Sequence, residues 1–182
     1  MSAETELVPI VGERVPQILR DWFATRKTDV VIFQEQLAPA PDPDASYEVK
    51  YEAVFEPTSL DQARVEVWVA ADGQVAVGFE KLKRVAERMG VKVANDHFAA
   101  GHEPHLMTEP GLLLLLDTIA DGEIAIDPTV VPLLGVTSTK AVITHDVLNA
   151  LVSKGYAPVN WFKSVDRSEF SKKEGCLKFR RW

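Results

Sequence analysis

Two alternating segments joined by Asp72-Gly73 constrain this chain more than any other feature. Arg64 to Ala70 reads RVEVWVA and Gln74 to Phe79 reads QVAVGF. Side chains on a strand alternate faces with a period of two, and Asp-Gly tolerates the positive φ of a tight two-residue turn. The spacing therefore predicts an antiparallel hairpin over 64–79. It sets Val65, Val67 and Val69 on one face and Glu66 and Trp68 on the other, a face left partly open to water.

Further strands are expected on each side. Tyr47 to Phe55 alternates in the same way, and Thr28 to Gln34 (TDVVIFQ) reads as a buried strand. Between them, Leu37 to Ser46 (LAPAPDPDAS) is the strongest non-helical segment, an excursion within the domain. Short strands are also expected at Val91 to Ala94, at Glu123 to Ile126 (ended by Asp127-Pro128), and at Lys140 to Ile143. The chain end is read as two strands, Val159 to Phe162 and Leu177 to Trp182, joined by a charged loop.

Four helices follow from apolar residues at helical spacing. Val15, Ile18, Leu19, Trp22 and Phe23 form one stripe over Arg14 to Arg26, with Pro16 in the first turn, where no intrahelical N–H is needed. Phe79 to Met89 is a second helix, closed by Gly90. The third starts at Thr108, a good N-cap. Its leucines at 112–116 cover more than a full turn, which predicts a helix buried all round at the centre of the core. Thr144 caps the fourth, through Lys154, with Val147, Leu148, Leu151 and Val152 facing inward. The expected fold is α+β: a single domain over 1–182, a mostly antiparallel sheet with the 64–79 hairpin at its centre, and about four helices packed against it. Any weak subdivision falls near 90–108.

Composition narrows the class. Hydrophobic residues make up 46% and charged residues 26%, which is the profile of a globular protein rather than a disordered one. The longest apolar stretch, Gly111 to Ala120, is too short for a membrane span. The acidic start, MSAETE, has no basic region followed by an apolar one. One cysteine, Cys176, precludes an internal disulfide and a multi-thiolate zinc site. A cytoplasmic location without membrane association is expected. The net charge of −7 disfavours binding to a phosphate backbone, so nucleic acid is not an expected partner. The asymmetry of the charge suits a basic protein partner, because complementary fields steer encounter.

Reactive side chains are dense in one place, Asn95 to Glu109 (NDHFAAGHEPHLMTE), where His97, His102 and His105 lie within nine residues among Asp96, Glu103 and Glu109. A backbone that folded back would let the three imidazoles share a metal ion. The spacing matches no known metal motif, however, and glycine and proline mark the segment as a loop joining two helices. No nucleophile elbow and no phosphate-binding glycine loop occurs, so no cofactor is indicated. His145 and Asp146 are accounted for as first-turn residues beside the Thr144 cap.

The residues point to a non-catalytic protein-binding module, an immunity- or antitoxin-like inhibitor that blocks a partner enzyme, the cognate toxin. Asp96, His97, His102, Glu103 and His105 would contact the partner, and Trp68 is a further anchor. Two alternatives stand beside it. One is a small metal-dependent enzyme or metal-responsive domain built on His97, His102 and His105. The other is a small-molecule-binding domain with a pocket at Trp68.

Overall fold

The computed structural model describes residues 7–40, 47–101, 103–155 and 159–182. Most of the proline- and aspartate-rich loop (41–46) lies outside these residues.

Strand alternation produces the main sheet. β1 (Val31–Leu37), β2 (Val49–Pro57), β3 (Val65–Ala70), β4 (Val75–Lys81) and β5 (Phe98–Gly101) pair in chain order as a five-stranded antiparallel meander. The expected hairpin is β3–β4. Gly73 takes φ +83° in its turn, and the Asp72 carboxylate accepts a 3.0 Å bond from the Gln74 amide. Val65, Val67, Val69, Val75, Val77 and Phe79 fill the inner face, where α1 (Val15–Arg26) lays Val15, Ile18, Leu19 and Trp22 against them.

A second, four-stranded sheet has the order β8-β7-β6-β9, with β6 at Ala125–Val131, β7 at Gly135–Thr144, β8 at Phe162–Val165 and β9 at Leu177–Lys178. Its β7–β8 pair is parallel and the rest is antiparallel. One buried cluster contains residues of both sheets, including Val65 and Val77 of the first and Ile126 and Ile143 of the second. The architecture is a single-domain α+β fold with five α-helices among the described residues: α1, α2 (Leu82–Arg88), α3 (Glu109–Ala120), α4 (His145–Ser153) and α5 (Arg167–Lys172).

Both threonine caps form as expected. Thr108 Oγ1 accepts from the Gly111 amide at 3.1 Å and Thr144 Oγ1 from the Val147 amide at 3.4 Å. Other expectations are corrected. Phe79 belongs to β4, paired with Val65 and Ala100, so α2 starts three residues later than its apolar spacing suggests. Residues 91–94 form no strand. Pro128 sits inside β6 opposite Thr139 instead of ending it; β9 pairs with β6 only at Ala125 and Ile126, so the proline lies on a free margin where no N–H is required. Val152 is exposed, and α5 occupies part of the charged segment read as loop.

α3 departs furthest from the expected all-round burial. It buries Leu112, Leu115, Leu116 and Ile119, while Leu113 and Leu114 remain half-exposed. The helix lies on the margin of the core, because α1 and α4 flank it without roofing it.

Candidate functional site

The segment singled out for its reactive side chains contains a short strand, β5, and an isolated bridge at His105. Asp96 Oδ1 accepts a 3.1 Å bond from the Lys83 amide, satisfying an N-terminal donor of α2. The His97 carbonyl accepts from the Leu82 amide at 2.7 Å. Phe98 then pairs with Lys81, β5 pairs antiparallel with β4 as far as Gly101 opposite Gly78, and His105 and Val75 exchange two 3.0 Å backbone bonds further along β4.

That course separates the histidines. Lys81 and Val75 are six residues apart on β4, so Phe98 and His105 stand roughly 20 Å apart at the rise of a strand. His97 and His105 cannot share an ion across that span. Among the described residues, no three His, Cys, Asp or Glu side chains converge on a common point. His102 lies outside the described residues. His105 is half-buried. Its Nδ1 lies 3.0 Å from the Glu103 carbonyl, its ring meets Trp161 edge-on at 5.7 Å, and burial lowers its pKa. Its backbone ties it to Val75 of β4. Asp96, His97 and Glu103 are exposed.

Trp68 is on the outer face of β3, opposite the valines, as its alternation requires. Its Nε1 donates to Glu52 at 3.1 Å, and its ring packs edge-on against Phe98 with centroids 5.0 Å apart. Lys81 Nζ lies 3.6 Å from the centre of the Phe98 ring and 3.6 Å from the buried Glu66 carboxylate, which also pairs with Arg64. Gly78 makes room for this layer: a Cβ there would stand 2.6 Å from Phe98 and 2.8 Å from Trp68. These side chains surround Trp68 on the outer face, and it lines neither of the two grooves described below. Trp68 is nevertheless linked to the Asp96–His97 turn through Phe98.

The sequence patterning gives no weight to a further feature. The tip of the β6–β7 hairpin, Val131-Pro132-Leu133-Leu134, is apolar where a turn ordinarily carries Asn, Asp or Gly. The Leu134 amide closes it onto the Val131 carbonyl at 3.0 Å. Leu133 is 97% exposed and Leu134 71%. The hairpin is pinned to the 92–99 segment at two points. Gly135, at φ +75°, fits against the Lys92 carbonyl, only 2.3 Å from where a Cβ would be, and Thr139 Oγ1 donates to the Ala99 carbonyl. The exposed leucines thus sit at the end of a hairpin whose second strand contacts the 92–99 segment that carries Asp96 and His97. The signal that would have found the tip in sequence is two leucines and a proline at a strand-to-strand turn.

Two other places bring chemistry-bearing groups or open space together. His145 Nδ1 lies 2.8 Å from Ser164 Oγ, and His145 Nε2 lies 3.9 Å from Asp166. This resembles a nucleophile–base–acid row, but the carboxylate is exposed and beyond hydrogen-bonding distance, so it does not fix the imidazole as a buried acid does. An open groove of about 550 Å³ between α1 and α3 continues into one of about 480 Å³ toward Lys154. Glu109 and Leu113 line both, and no nucleophile–base pair faces either. No described helix is long and apolar enough to cross a membrane. No protein-family model, curated protein or solved structure matches the chain.

Proposed function

We infer that the chain is a non-catalytic protein-binding module, and specifically an inhibitor of the immunity or antitoxin kind that blocks a partner enzyme. The observation that carries this reading is Leu133, 97% exposed at the tip of a pinned hairpin. Leaving a leucine in water forfeits about 1.5–3 kcal/mol of burial. Exposed apolar clusters rimmed by polar groups are characteristic of binding surfaces. Leu133 and Leu134 supply the apolar anchor, and Asp96 and His97 the rim. The net charge of −7 adds long-range attraction toward a basic partner.

Co-expression with the basic proteins encoded next to this chain tests the reading. The expected outcome is a one-to-one complex that inhibits the partner's activity. Leu133→Asp is expected to weaken it by on the order of 100-fold, as loss of a central anchor does. A complex that forms with unchanged affinity in that variant, or an active partner within the complex, would overturn the proposal.

A further inference from the structure

Among the described residues β1 is an edge strand of the main sheet, at the opposite side from β5. The Ala38 amide bonds to the Lys50 carbonyl and the Thr58 amide to the Val30 carbonyl, so even-numbered residues direct their backbone groups at β2. The amides and carbonyls of Val31, Phe33, Glu35 and Leu37 consequently point away from the sheet. Among the described residues, none pairs with them.

Sheet edges are ordinarily blunted by lysine, proline, a bulge or a very short strand. β1 (VIFQEQL) has none of these devices. It is seven residues long, it pairs with β2 without a register shift, and its one charged residue, Glu35, is neutralised by Arg20. It also leaves Leu37 74% and Ile32 52% exposed.

We propose that β1 pairs antiparallel with β1 of a second copy of this chain, about a two-fold axis through Gln34. The strand is self-complementary in that register. Val31 meets the partner's Leu37, Phe33 meets the partner's Glu35, Ile32 meets the partner's Gln36, and Gln34 meets the partner's Gln34. Apolar residues cover Leu37, amides meet across the axis, and no two carboxylates are opposed. A register shifted by two residues, with the axis through Glu35, would set Glu35 against Glu35, a destabilising like-charge pair. Four residues of each copy, each with one donor and one acceptor, form about eight ladder bonds, close to the ten or so of a standard interface. The sheet becomes ten-stranded, with the two β5 strands at opposite edges, roughly 40 Å apart. The dimer stands or falls independently of what the Leu133 tips bind.

Sedimentation equilibrium of the full chain is expected to give twice the 20.2 kDa chain mass. The register is tested by Gln34→Cys in a Cys176→Ser background. In a non-hydrogen-bonded antiparallel pair the Cα atoms are about 4.5 Å apart, within disulfide reach, so mild oxidation yields a covalent dimer. Gln36→Cys, displaced from its own mate by roughly 13 Å, does not cross-link. Ile32→Lys with Leu37→Lys is expected to weaken self-association tenfold or more, roughly the effect of a charged edge, with thermal melting confirming that the fold is kept. A monomer at 100 µM, or a dimer in which Gln36→Cys cross-links as readily as Gln34→Cys, overturns the proposal.

Discussion

Trp22 Nε1 donates a 2.8 Å hydrogen bond to Asp117 Oδ1, joining α1 to α3 across a sequence separation of 95 residues. Arg26 reinforces the join. Its guanidinium lies 5.0 Å from the centre of the Trp22 ring and pairs with Asp117 and Asp121. Phe55 and Trp182 close around the same indole, at 5.5 and 5.9 Å. Asp117 is thus the acceptor on α3 for both the indole and the guanidinium of α1.

Asp117→Ala leaves the indole N–H and a largely covered guanidinium short of an acceptor, and is expected to cost about 1–3 kcal/mol in urea denaturation. Asp117→Asn keeps an acceptor and is expected to cost less. Equal losses in the two variants would mean that the negative charge facing Arg26, not the acceptor offered to the indole, is what matters.

Glu80 is 1% exposed and sits at φ +53°, where the chain passes from β4 to α2. It accepts from Arg84 Nε at 2.7 Å and from the Lys81 amide at 2.9 Å. Burial holds its carboxyl above the usual range despite those donors. A raised folded pKa means that its contribution is complete below the ordinary value of 4.5 and declines as pH rises through the folded value. Arg84→Ala removes the opposing charge and raises that pKa further. The variant is expected to lose about 3–5 kcal/mol at neutral pH and less below pH 4.5. Parallel stability–pH curves for variant and wild type would count against this account.

His105 gives the opposite slope. Burial depresses its pKa below the ordinary 6.5, so its stabilising contribution is complete above 6.5 and is lost as pH falls toward the folded value. Imidazole resonances followed by NMR should titrate below 6.5 for His105. His105→Gln should flatten the acid limb of the stability curve between those two pKa values.

Leu133→Ser is expected to change stability by no more than about 0.5 kcal/mol, since the side chain touches almost nothing within the fold. Unchanged melting together with lost partner binding separates a recognition residue from a structural one. A fall in melting temperature of several degrees would assign the tip a packing role.

Much of this molecule is legible in its residues alone. The α1 stripe, the β3–β4 hairpin and the threonine caps at 108 and 144 are local devices. Period, turn chemistry and one hydroxyl suffice to specify each, and each forms where its residues require. The outward direction of Trp68 follows from the same alternation. What occupies that outer face does not, because Phe98 and Lys81 reach it only through the β4–β5 pairing.

The tertiary structure decided the rest, and the reason in each case is pairing over distance. Five consecutive leucines specify a helix with apolar excess, but only the positions of α1 and α4 determine that Leu113 and Leu114 stay half-open. Three histidines within nine residues look like a cluster in one dimension. Laid along β4, the chain carries His97 and His105 to opposite ends of a strand, because an extended backbone advances about 3.3 Å per residue. A further long-range contact lays β7 against the 92–99 segment, with Gly135 at Lys92 and Thr139 at Ala99, some forty residues apart in the sequence. The sequence by itself determined which residues are polar, apolar or turn-forming. Which of them are neighbours was decided by β-sheet register, a non-local property that no short window of residues contains.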